Sequence, residues 1–175
     1  MSHLPNEIWL HIASFSESRD LWLTLRPINR QLQQRVEQHF EREILPESIL
    51  SLPVIIPTYD VRVPIRGKVT FKPMSNSNAE AAQDFDRITF DMADTDPDYY
   101  RPHFLTRWAT MQDRESGRLD DRRVRWELEL GGLRRGVNLH QSMAVRECKP
   151  GEVKVSFEWT YTVSSFFKSG SVPLW

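Results

Sequence analysis

VKVSFEWTYTV, residues 153 to 163, is the stretch on which the reading of the larger part of this chain turns. Val153, Val155, Phe157, Trp159, Tyr161 and Val163 occupy alternate positions, and Lys154, Ser156, Glu158, Thr160 and Thr162 fill the others. An apolar and a polar set at period two predict a strand with one face buried and one face wet. The same pattern runs upstream. Val124, Trp126, Leu128 and Leu130 alternate with Arg125, Glu127 and Glu129 and stop at Gly131-Gly132. Ile88, Phe90 and Met92 form another run, and Val61, Val63, Ile65, Val69 and Phe71 another. Phe104 to Met111, with Trp108, is a further candidate. Strands with one wet face favour antiparallel pairing over alternating strand–helix units. Stretches 73–83, 93–102 and 113–123 read as the loops between them, and Trp108, Trp126 and Trp159 as sheet core.

Ahead of Pro46 the period lengthens. Ile8, Ile12 and Phe15 recur at helical spacing with Trp9 beside them, and Pro5 suits a first helical turn. Leu21 and Leu25 share a second face. Pro27 ends that segment, and Ile28, Leu32, Val36, Phe40 and Ile44 then fall four apart. The spacing predicts helices over about 5–15, 20–26 and 28–45. The expected fold class is therefore α+β, an N-terminal three-helix head over 1–48 followed by a mainly antiparallel β-sheet or sandwich body over 49–175. The junction at Pro46 to Leu52 is too short for a free linker, so the two parts should touch. A head of this size is marginal alone and must bury its apolar surface against the body or a partner.

The order of residues in the head adds a resemblance. Leu4-Pro5-x-Glu7-Ile8, then Ile12, Phe15, Asp20-Leu21, Leu25, Ile28 and Arg30, resembles an F-box, and DLWLTLRPINRQ followed by VEQHFEREIL is similar to the fungal style of that family. The likeness covers about residues 2–45. It implies docking on the Skp-type adaptor of a Skp–cullin–F-box ubiquitin ligase, and through the adaptor on a cullin. The β-rich body would recruit an unknown protein substrate. The chain is then a non-catalytic subunit in a protein-degradation pathway, in the cytoplasm or nucleus. Adaptor-contacting positions implied by the resemblance are Leu4, Pro5, Ile8, Trp9, Ile12, Phe15, Leu21, Leu25 and Ile28; some of these must be internal core, and periodicity does not say which. One departure stands out: Ser16 lies where the family usually carries a Leu after the aromatic. That removes one anchor worth about 1.5–3 kcal/mol when fully buried. Two alternatives remain: an adaptor-binding or scaffold module that assembles no ligase, and a small-ligand-binding β-domain or enzyme.

Other chemistry finds little footing. Among 175 residues the formal charge is −1, which gives no electrostatic case for nucleic acid or an anionic membrane. The lone Cys148 forms no intrachain disulfide, consistent with a reducing compartment. No signal peptide or membrane-length apolar run is seen. Asp91, Asp94, Asp96 and Asp98 begin like a calcium loop, but Tyr99 stands at the glycine place and Leu105 at the final glutamate place. The five histidines lack paired spacing, and Cys148 with His140 carries no sign of activation. GGLRRG at 131–136 reads as a hairpin or loop rather than a phosphate loop. Arg118, Arg122, Arg123 and Arg125 are interrupted by Asp120 and Asp121 and read as a solvated mixed face. No cofactor or metal is implied.

Overall fold

The computed structural model of the chain describes residues 6–56, 65–74, 87–114, 126–137, 139 and 152–168. Helices come first. α1 spans Asn6–Ser14. α2, Ser18–Asp20, continues as a π-helical turn over Leu21–Leu25, where the Arg26 N–H reaches back five residues to the Leu21 carbonyl. α3, Arg30–His39, starts at Asn29, whose side-chain oxygen accepts the Leu32 N–H at 2.8 Å. A β-region N-cap with an Asn oxygen satisfies a donor that the first turn leaves open. α3 then widens into a π-helical turn over Phe40–Ile44 and tightens over Leu45–Glu47.

The π turn has a consequence for packing. Leu32, Val36 and Phe40 are buried at steps of four, and the next buried residue is Leu45, a step of five. The extra residue in the turn advances the stripe by one position. Leu45 therefore enters the core, and Ile44, expected there, is only half-buried.

At Ser48 helix gives way to sheet. The strands are β1 (Ile49–Ile56), β2 (Ile65–Pro73), β3 (Arg87–Asp96), β4 (Trp126–Leu130), β5 (Leu133–Val137) and β6 (Lys154–Glu158). They form one six-stranded sheet in the order β5-β4-β1-β2-β3-β6, with every neighbouring pair antiparallel. The class is α+β with an antiparallel sheet, as expected. Of the two forms expected for the body, the described residues form a single sheet; helices rather than a second sheet cover its inner face. β1 is a strand where a junction had been expected, and Pro53 sits in it beyond Ile49–Ser51, the residues that β4 pairs. Pro53 lies opposite Lys68 of β2, and on the β4 side no ladder partner among the described residues is left that would need its N–H. Gly131 and Gly132, at φ +56° and +77°, make the two-residue turn joining β4 to β5.

Two expected strands are corrected. Phe104 to Met111 lies in helix α4, Arg101–Arg114. Tyr100, Phe104 and Trp108 are all buried, and their spacing of four is a helix stripe. Pro102, in the first turn, costs no hydrogen bond. The stretch 93–102, expected to be a loop, is divided among β3, a short 3₁₀ turn at Asp98–Tyr100 and the start of α4.

The opening stretch is itself split. β6 ends at Glu158, and α5 runs from Trp159 to Lys168. Trp159 and Val163 are buried in either reading, because four residues satisfy both period two and period 3.6. Tyr161 and Thr162 separate them. Tyr161 is 48% exposed, whereas Thr162 is fully buried with its hydroxyl donating to the Glu158 carbonyl at 2.9 Å. Buried Trp159, Thr162, Val163, Phe166 and Phe167 make a helix face.

The outer face of the sheet is a ladder of opposite charges. Lys68 lies opposite Asp96, Lys72 opposite Asp91, Lys154 opposite Asp91, and Arg87 opposite Glu158. Arg134 pairs with Glu127 across the β4–β5 hairpin. Such cross-strand pairs each contribute a fraction of a kcal/mol, about 0.2–1, and keep the face wet.

The inner face carries Leu50, Leu52, Val69, Phe71, Phe90, Trp126, Leu128 and Phe157, all buried. α5 covers part of it: Arg135, opposite Leu128, donates to the Phe166 carbonyl at 3.1 Å and lies 5.5 Å from the Phe166 ring. The head closes over α5. Trp22 meets Trp159 at 5.5 Å between ring centroids and donates its indole N–H to Ser164 at 3.0 Å. Phe40 meets Trp22 at 4.7 Å and Phe167 at 6.2 Å. Leu21, Leu25, Val36, Phe40 and Leu45 belong to the same core cluster as the sheet residues. The core thus runs across the change from helix to strand.

Candidate protein-docking surface

Among the described residues of the head, α1 and the turn after it carry a strip of apolar side chains that stays open. Ile8 is 44%, Ile12 39% and Phe15 80% exposed. At steps of four and three they form a single strip. Trp9 and Ala13, on the other side of the helix, are half-buried against the core. The strip ends in an aromatic pair, His11 edge-on to Phe15 at 5.0 Å.

Ser16 has a local task there. Its hydroxyl donates to the Ile12 carbonyl at 2.8 Å, and Ser14 does the same for His11. The Ile12 carbonyl also accepts the Phe15 N–H at 3.2 Å, so the Ser16 hydroxyl is a second donor to it in the last turn, where carbonyls run short of helical partners. A Leu at position 16 would not do this, so the departure from the F-box pattern exchanges an apolar anchor for a closed helix end.

Of the adaptor-contact positions implied by the resemblance, Ile8, Ile12 and Phe15 come together on the α1 strip. Trp9 faces the core. Leu21, 3% exposed, and Leu25, 9% exposed, are interior and unavailable to any partner in this conformation. Ile28 is exposed in the turn before α3. Leu4 and Pro5 lie outside the described residues.

The second helical segment is held in place by charge as well as packing. Arg26 reaches Glu37 of α3 at 2.6 Å and lies 4.4 Å from the Trp22 ring, while Gln33 donates to the same Glu37 carboxylate at 3.1 Å. Beneath it, the Gly131 turn leans on the head: a Cβ at Gly131 would stand 2.7 Å from the Ser18 hydroxyl. These contacts fix the base on which α1 stands.

The remaining candidates resolve into structure where they are described. Asp91, Asp94 and Asp96 belong to β3, and Asp91 and Asp96 face lysines. Asp98 starts the short turn that follows. Among the described residues no group of three or more His, Cys, Asp or Glu is placed to hold a metal ion, and no helix is long and apolar enough to cross a membrane. GGLRRG is the turn and most of strand β5. Trp126 is sheet core, but Trp108 and Trp159 sit on helices. His140, Cys148 and Arg118, Arg122, Arg123 and Arg125 lie outside the described residues. Helix α4 and its aromatic face went unread in the sequence; the four-residue spacing of Tyr100, Phe104 and Trp108 is the signal that identifies it. Compared with protein-family models, curated proteins and solved structures, the chain finds no match in any of the three.

Proposed function

We propose that this chain is a non-catalytic, substrate-recruiting subunit that docks through α1 on a Skp-type adaptor and presents its β-rich body to a protein target for ubiquitination. The observation that carries the reading is the division of the F-box-like residues. Leu21 and Leu25 face inward and build the head, while Ile8, Ile12 and Phe15 are left in water on one strip. Each of the three gains from burial by a partner, up to about 1.5–3 kcal/mol for a side chain brought from full exposure to full burial. Such a strip is the helix-face element that grooves on partner proteins accept. The ordered series from Leu4-Pro5 to Arg30 supports the Skp-type adaptor as that partner.

The test is capture of a Skp-type adaptor by the full chain, with Ile12→Asp and Phe15→Asp as variants. Both residues are exposed, so each variant should keep the wild-type melting temperature and lose adaptor binding by about tenfold or more. Cullin recruitment by the adaptor complex then tests ligase assembly. No adaptor binding at micromolar concentration, or binding untouched by both variants, refutes the reading.

A further inference from the structure

The open strip of α1 carries a titratable ring as well as apolar side chains. His11 is exposed and stands three residues after Ile8 and four before Phe15. At about 100° per residue, Ile8, His11, Ile12 and Phe15 span ~100° of the helix surface, with His11 about 40° from Phe15. Trp9 and Ala13, the residues turned to the core, are each about 160° from His11. The imidazole meets the Phe15 ring edge to face, with centroids 5.0 Å apart and planes at 87°. Phe15 is 80% exposed, so a groove that covers it also meets the imidazole packed on it. On its own helix, Glu7 is the only charged residue within four positions of His11. Among the described residues no charged side chain of another element pairs with the ring.

An imidazole changes charge between about pH 5 and 8. Its two forms differ in what docking asks of them. The neutral ring keeps its apolar faces and gives up only the hydration of its two nitrogens. The imidazolium leaves water with no paired anion among the described residues, which is far more costly. Burial beside Phe15 therefore favours the neutral form. By linkage, full affinity is present above the imidazole range and is lost as pH falls through it. We infer that His11 is a further docking residue of α1, entering the adaptor groove as neutral imidazole against Phe15, so that docking releases a proton and weakens in acid. This rests on the docking reading of the α1 strip.

The test is the affinity of the full-length chain for a Skp-type adaptor at about pH 8 and about pH 5.5, on either side of most of the imidazole range. His11→Gln is the uncharged variant and Ile12→Asp the docking control. With only the neutral form docking, the wild-type Kd should rise about five- to tenfold from the higher pH to the lower. His11→Gln should change by no more than about twofold over the same interval. Titration elsewhere in either protein acts on both chains alike and cancels in the comparison. Unchanged wild-type affinity overturns the inference, as does tighter binding in acid, or a His11→Gln chain that weakens as much as the wild type. In each of those cases, binding at the higher pH that Ile12→Asp abolishes leaves the docking reading standing. No binding at the higher pH, or binding that Ile12→Asp leaves intact, refutes the docking reading and this inference with it.

Discussion

Replacing Phe40 with alanine tests whether head and body share one core. Phe40 is fully buried, packs against Trp22 in a tilted ring pair at 4.7 Å and lies 6.2 Å from Phe167 of α5, so it bridges the helical segment and α5. Phe→Ala in a packed interior costs about 3–5 kcal/mol, the transfer term plus the cavity left by incomplete collapse. For a chain of this size each kcal/mol lowers the melting temperature by about 2–4 °C, which puts the expected fall at ~6–20 °C. The assay is thermal unfolding followed by two probes, far-ultraviolet circular dichroism and tryptophan fluorescence. Because Trp22 borders the cavity and Trp159 packs on Trp22, both probes should report the same single, lowered transition. Phe15→Ala is the matched control: at 80% exposure it should shift stability by no more than about 0.5 kcal/mol. The reasoning is refuted if Phe40→Ala melts in two separate steps with the sheet transition unmoved, because the head would then be an independent module. It is equally refuted if Phe40→Ala costs no more than Phe15→Ala.

Two further substitutions probe the joints. Gly131→Ala must hold an L-residue at positive φ and place its methyl against Ser18, whereas Gly132→Ala carries only the backbone cost, since nothing lies within 4 Å of its Cβ position. Denaturant midpoints should therefore fall further for Gly131→Ala, by about 1–3 kcal/mol of stability, and Ser18→Gly should recover part of the loss in the double variant; equal losses at the two glycines would sink this account. Asn29→Ala removes the cap of α3 and should cost about 1 kcal/mol by the same measurement, with Asn29→Ser retaining most of the stability.

Much of the secondary structure was legible because local periodicity reflects a local cause. The stripe at Leu32, Val36 and Phe40, the alternation from Trp126 to Leu130 and the Gly131-Gly132 turn each state their conformation within a few residues. Legibility failed where one spacing fits two templates. Trp159 and Val163 satisfy strand and helix alike, and the ambiguity is settled by what lies on either side of Tyr161 and Thr162. The step from Phe40 to Leu45 was equally hidden, because a π turn advances the stripe without any breaker residue to announce it.

The candidate docking face was half legible for a related reason. Helical spacing placed Ile8, Ile12 and Phe15 on one strip, but it assigned Leu21 and Leu25 to the same list. An apolar side chain has the same character whether it serves a core or a partner.

By itself, then, the sequence determined an α+β chain with helices first, antiparallel strands after, and more apolar surface in the head than the head can bury alone. Only the tertiary structure decided which of that surface is spent. Trp22, Phe40, Leu21 and Leu25 close on α5 and the sheet, whereas Ile8, Ile12 and Phe15 find no covering neighbour among the described residues. The hydrophobic effect rewards burial without specifying the partner, so the division between core and open face is set by contacts between segments more than a hundred residues apart.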